Sequence, residues 1–350
     1  MLVSRVPARI VLSVVFAVVG VVATVSSQPT ATFPTELNGY LTKYVKLTPA
    51  ESSKMTSGAP VVKLLPSDPA REVSVFGGVW IKGSPRHYVN LVKNIEQFER
   101  GGAFRVTKRI SNPPQPSDFA ALKLPPEDLA SLKSCRVGDC EIKLAESALV
   151  RVRESVDWSK PNAAAAAEVL AKQLMYEYSK GYVEAGNEGL AVYRDAERPT
   201  FVATEFKSMI DRMPELGEHL PELKAYLLGY PKVTIPGATS FLYWGEAQFG
   251  LKPTIRINHV VIDDRPGATV VASKLIYASH YFWTALDIRV LVEDPGRGPG
   301  FWFVNITRSR SDGLSGFVGN MIRGKVQTEA LKGIEAALRV TKTRVEQAAR

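Results

Sequence analysis

Five strand-length runs in a row, followed at once by one long amphipathic helix, constrain this chain more than any other feature. The runs cover residues 240–247, 254–262, 269–278, 286–292 and 301–307. Turn clusters separate them, such as Asp263-Asp264-Arg265-Pro266-Gly267 and Pro295-Gly296-Arg297-Gly298-Pro299-Gly300. Short runs punctuated in this way predict an antiparallel meander. From about 314 to 347, Val318, Met321, Ile322, Val326, Ala330, Ile334, Leu338 and Val345 fall on one stripe, mostly at three- and four-residue steps. That spacing predicts a helix with one face for burial.

Upstream, EVSVFGGVWIKG at 72–83 alternates Val73, Val75, Val79 and Ile81 around Gly77-Gly78. It reads as a strand with a bulge or bend at the glycines. Ser84-Pro85 then opens a helix carrying Tyr88, Leu91, Val92, Ile95 and Phe98, stopped by Gly101-Gly102. FRVTKRI at 104–110 reads as a second strand. Residues 111–126 hold five prolines. Helices are expected after them near 127–134, 144–154, 163–184, 201–213 and 221–228. This marks a helical insertion at about 112–187 at least. Residues 28–70, rich in Ser, Thr and Pro, read as a linker with one short helix near 35–45 and an extended lead-in.

The N-terminus points to export. Arg5 and Arg9 precede a 16-residue uncharged run, 10–25, and then Ser26 and Ser27. A basic start, a short apolar core and small residues suit a secretion signal at 1–27, cleaved after Ser27. The run falls short of the roughly 20 residues that span a bilayer; an uncleaved anchor is the alternative. In an oxidising compartment Cys135 and Cys140 are expected to form a disulfide that closes a short turn. Two cysteines exclude a disulfide scaffold and a four-cysteine zinc site.

Strand, helix, strand, then a meander and a long last helix is the element order of the helix-grip fold. The chain resembles the START-like (SRPBCC) superfamily over residues 71–347, through this order and the stretch SGFVGNMIRGKV…LKGIEAALRVTKTRVE. The resemblance implies an α+β protein whose curved antiparallel sheet wraps the C-terminal helix, with a cavity between them; the insertion is larger than that superfamily's core usually carries. The chain also looks like an uncharacterised family of exported bacterial proteins, through DFAALKLPPEDL at 118–129, CRVGDCEIKL at 135–144 and ASKLIYASHYF at 272–282.

Catalytic signatures are missing from the sequence. None of His87, His219, His259 and His280 has a second His three or four residues away, so a helix-borne zinc pair is excluded. Asp263-Asp264 read as turn residues. Gly313-Leu314-Ser315-Gly316-Phe317 lacks the last glycine of a nucleophile elbow. No cofactor motif and no metal set stands out. His259, His280, Asp287 and Glu246 are the acid/base candidates if the protein is an enzyme.

Aromatic residues are more informative. Tyr243, Trp244, Tyr277, Tyr281 and Trp302 on the strands, with Phe317 and Met321 on the last helix, are the expected lining of a cavity for a lipid or other hydrophobic small molecule. Plain core packing by the same residues, in a structural or interaction protein, is the alternative. The net charge of +9 is concentrated at the end of the chain, where residues 307–350 carry nine basic and four acidic side chains. That stretch either meets an anionic membrane surface or forms a solvated face. A nucleic-acid partner is not expected of an exported chain without such a motif.

Overall fold

The computed structural model describes residues 33–349, apart from 102, 249, 251, 266 and 315. The expected secretion signal therefore lies outside the described residues. Helix α1 (Thr35–Tyr40) runs on as a π-helical turn over Leu41–Val45, and α2 (Pro49–Thr56) follows, opened by a Thr48/Glu51 capping box. Strand β1 (Val61–Leu64) precedes the long β2 (Glu72–Lys82). Helices α3 (Pro85–Lys93) and α4 (Ile95–Phe98) connect β2 to β3 (Phe104–Ile110).

Next come α5 (Pro126–Leu132), α6 (Glu146–Ser155) and α7 (Ala163–Ala185). A two-residue pairing of β4 (Val192–Tyr193) with β5 (Thr200–Phe201) leads to α8 (Val202–Asp211), α9 (Pro214–His219) and α10 (Pro221–Gly229). The meander is β6 (Thr239–Gln248), β7 (Pro253–Arg265), β8 (Ala268–Ala278), β9 (Phe282–Glu293) and β10 (Gly300–Ser311). Helix α11 (Gly316–Ala348) closes the chain.

Eight strands form one antiparallel sheet in the order β1-β2-β10-β9-β8-β7-β6-β3. The protein is thus α+β, with a large antiparallel sheet and the C-terminal helix packed on it. Alternation along each strand divides the side chains between two faces. The front face carries Val79, Ile81, Phe241, Val260 and Phe303 against α3, α4 and the Leu338 and Val345 side chains of α11. The back face carries Phe76, Trp80, Val261 and Trp302 against the N-terminal helices and α8–α10. Further along, its Leu242, Trp244, Ile255 and Ile257 pack against α7.

The structure corrects two expectations. Residues 33–65 are no linker, because Leu37, Leu41, Met55, Val61 and Leu65 are buried in the back-face core. Gly77-Gly78 makes no bulge, and β2 pairs in continuous register with β10 from Glu72 to Lys82. The glycines instead give room on both faces. A Cβ on Gly77 would meet Ile334 at 2.8 Å and Leu338 at 3.0 Å, and one on Gly78 would meet Met55 at 2.7 Å. The helical insertion, expected to reach residue 187 at least, runs from β3 to β6.

Candidate functional site

Behind β7 and β8, helices α5, α6 and α7 enclose a cavity of about 270 Å³. Small side chains leave much of the room: Ala145, Ala148, Ala167 and Ala171 all line it. Leu122, Leu132, Ile142, Val152 and Met175 supply apolar wall, and Ile255 and Tyr277 form the sheet side. Arg151 and Glu177, half-exposed and ion-paired with each other, join α6 to α7 at its edge.

Tyr277 reaches this cavity because β8 carries an extra residue. Ile257 pairs with Tyr277 but the next residue, Asn258, pairs with Leu275, which leaves Ile276 out of the ladder. Such a bulge resets the alternation. Ile276 and Tyr277 both pack with the back-face cluster, whereas strict alternation would have put Tyr277 on the front. Burial pushes the phenols of Tyr277, Tyr178 and Tyr193 up, and for Tyr277 the Asp128 charge adds to it. All three are therefore neutral hydroxyls.

Asp128 and His280 meet at the cavity wall. His280 Nε2 lies 2.8 Å from Asp128 Oδ1, and Nδ1 lies 3.1 Å from the Glu141 carbonyl oxygen. A carbonyl only accepts, so Nδ1 carries a hydrogen and donates it; one further proton then sits between Nε2 and the carboxyl. The pair as a whole is neutral. Both ring nitrogens are committed, so His280 positions Asp128 and is not a free base. Asp128, 1 % exposed, lines the cavity, and among the described residues its buried Oδ2 has no hydrogen-bond partner.

The disulfide Cys135–Cys140 is present, as expected, and borders the same region with Leu132, Ile142 and Val152. Backbone bonds from Cys140 to Asp195 (2.8 Å) and from Lys143 to Ser279 (2.9 Å) tie its loop to the β4–β5 segment and to the turn after β8. Buried Lys143 adds ion pairs of 3.0 Å to Asp195 and Asp312.

The seven residues expected to line one cavity do not meet. Tyr243 lies on the front face, donating to Glu99 at 2.9 Å. Trp244 is core on the back face, stacked on Phe119 and donating to the Asp118 carbonyl at 2.8 Å. Trp302 packs against Trp80 and Phe33 and donates to Asp294 at 3.0 Å. Tyr281 sits in the turn after β8 at φ 62°, its hydroxyl accepting from the Lys252 amide. Met321 is 68 % exposed on α11. The Phe317 side chain lies outside the described residues. Tyr277 alone of the six described lines the cavity, and that cavity is on the face opposite α11. Alternation explains the scatter: adjacent aromatics such as Tyr243 and Trp244 must point to opposite faces.

Of the four acid/base candidates, no two lie together. Glu246 pairs with Arg105 at 3.0 Å and Asp287 accepts from Thr307 at 2.6 Å on the front face. His259 is buried under α7 and α10, with Tyr182 at 3.0 Å from Nδ1 and Tyr226 at 3.1 Å from Nε2. Burial drives its pKa down to about 3, helped by Lys274, so the ring is neutral. Lys274 is buried too; it donates to Asn187 and lies 4.0 Å from the centre of the Phe206 ring. Burial lowers its pKa to about 7. Among the described residues no group of three His, Cys, Asp or Glu side chains could hold a metal, and no helix is long and apolar enough to cross a membrane.

Sequence reasoning missed Asp128 as the partner of His280 across 152 residues. The stretches 118–129, 135–144 and 272–282 did carry the signal. All three line the cavity, through Leu122, Leu124 and Asp128, Ile142 and Leu144, and Tyr277. No family model matches this chain, and no curated protein matches it.

Proposed function

We propose that this is an exported START-like protein of helix-grip fold that binds a small hydrophobic molecule. The binding site is the cavity between the back of the sheet and α5–α7. The observation that carries this reading is the cavity itself, apolar on nearly every side, with a few polar groups at its wall and edge. Enclosed apolar space with sparse polar groups is the usual form of a ligand site. Burial of ligand surface, at about 25 cal/mol per Å², drives binding. The volume lies just below the roughly 300–1,000 Å³ of drug-sized sites, which favours a single chain or ring system over a two-chain lipid.

Strand order and the packing of α11 on β2 support the helix-grip reading; the disulfide supports an oxidising compartment and hence export. The START-like site between sheet and last helix is not where the room lies, because Ile334 and Leu338 sit directly on Gly77.

The test is native mass spectrometry of the protein purified gently from its host, set beside a denatured sample, and repeated after incubation with butylbenzene. A bound mass lost on denaturation is expected. Ala148→Phe, which fills the cavity, should abolish it while the far-UV circular dichroism stays unchanged. Retained binding in that variant would move the site elsewhere.

A second reading concerns α11. Met321, Ile322 and Val326 are exposed beside Arg323 and Lys325, a combination suited to an anionic membrane surface. Co-sedimentation with phosphatidylglycerol vesicles, lost in Met321→Ser/Ile322→Ser, is the expected result; equal pelleting of that variant would count against it.

A further inference from the structure

The inference drawn here rests on the cavity reading above and names what kind of molecule it takes. We propose that the occupant is an uncharged molecule with an apolar body and one hydroxyl or N–H donor, seated with that donor on Asp128 Oδ2.

Asp128 is 1 % exposed, and its carboxyl forms part of the cavity wall. One oxygen is engaged by His280 at 2.8 Å, and the other has no hydrogen-bond partner among the described residues. Buried acceptors are rarely left in that state, and each that is weakens the fold. One other wall group is in the same state, the Tyr193 hydroxyl, which as a phenol can donate as well as accept, whereas Oδ2 calls for a donor; further polar groups of the wall are committed. The Ser279 hydroxyl accepts from the Ile255 amide at 3.0 Å, and the Tyr178 hydroxyl donates to the Ile276 carbonyl at 2.7 Å. Arg151 and Glu177 satisfy each other at the edge. A donor arriving with a ligand finds in Asp128 Oδ2 an acceptor that none of the described residues occupies.

Charge selects among donors. Asp128 and His280 share their protons as a neutral pair, and the surrounding wall is mostly apolar, its phenols uncharged and its Arg151 and Glu177 paired with each other. An ammonium head would bring a charge that nothing in the wall neutralises, and a carboxylate or phosphate would set anion against carboxyl. An alcohol, a phenol or a neutral ring N–H meets the acceptor at no such penalty. His280, locked by its second bond to the Glu141 carbonyl, fixes the direction in which Oδ2 is presented.

The test compares three probes on the full chain by NMR shift titration: butylbenzene, para-butylphenol and para-butylbenzylamine. The phenol should bind at least about tenfold more tightly than butylbenzene, the gain expected from a hydrogen bond to a charge-sharing acceptor. The amine, cationic at neutral pH, should bind more weakly than the phenol. In Asp128→Leu the preference for the phenol should vanish. Because that change strands His280, Asp128→Leu/His280→Phe replaces the whole pair by apolar groups; it should keep butylbenzene binding and lose the preference. Equal affinity of the wild-type chain for phenol and butylbenzene would overturn the inference but leave the cavity reading standing. So would tightest binding by the amine. Failure of all three probes to bind would overturn both.

Discussion

Lys274 is a buried cation site without a buried anion. Among the described residues its amine makes no ion pair, and burial brings its pKa down to about 7. In the unfolded chain it holds its proton up to about pH 10.4. Between those values the unfolded state binds more protons, so stability rises with pH from about 7 to 10; below about 7 the whole cost is present. Lys274→Met should therefore stabilise the protein near neutral pH by roughly 2 kcal/mol or more, after the loss of the Asn187 bond, and should flatten that rise. Urea melts at about pH 7 and 9.5 would show it; an unchanged slope with pH would mean the amine is solvated. His259 works at the other end of the scale. Its folded pKa of about 3 lies below the unfolded 6.5, so stability is lost as pH falls through that window. His259→Gln should hold its melting temperature better than the wild type between about pH 6 and 4.

Helix α11 rides directly on the backbone of β2, and Gly77 makes that approach possible. Gly77→Val should cost roughly 1–3 kcal/mol by pushing Ile334 and Leu338 outward, read as a lower urea midpoint. Removing the disulfide as Cys135→Ala/Cys140→Ala should cost about 2 kcal/mol, the modest value expected of so short a loop. A larger loss would mean that the cystine also holds α5 and β4–β5 against the sheet.

Such elements were legible because their signals are local. Alternation, turn residues and the Ser84-Pro85 start lie within a few positions of what they specify, and the five meander strands appeared where expected. The long helix from Ser84 broke at Asn94, whose φ −98° and ψ 54° are not helical. The site was less legible. Which face an aromatic takes depends on counting residues through the Ile276 bulge, and the Asp128–His280 pair joins segments far apart in sequence. Neither fact has a local signature. The 33–65 segment does not read as core in sequence for a similar reason: its apolar residues are sparse and become core only when laid on Trp80 and Trp302.

At the scale of the whole molecule, the back of the sheet is covered by chain from both before and after β2 and β3. A protein beginning at Arg71 would lose the cover supplied by Leu37, Leu41, Met55 and Phe33 and bare Phe76 and Trp302. It should bind a hydrophobic fluorescent dye strongly and lose cooperative unfolding; a sharp melt would show that residues 33–70 are dispensable. The two faces also divide the labour. The front, where α11 sits, is close-packed at β2, whereas the back holds both the cavity and the buried Lys274–His259 cluster. Destabilising changes on the front should therefore lower the melting temperature without altering probe affinity.

The extra residue in β8 gives the cavity an unusual kind of dependence. Its floor is set by arithmetic as much as by chemistry, since Tyr277 faces backward only while β7 holds no residue opposite Ile276. Every substitution of Ile276 keeps that mismatch. Deleting Ile276 would leave Tyr277 beside Leu275 and still opposite Ile257, facing backward, with only the Ile276 side chain lost from the core. One residue added to β7 between Ile257 and Asn258 would instead complete the ladder and send Ile257 and Tyr277 through the sheet together.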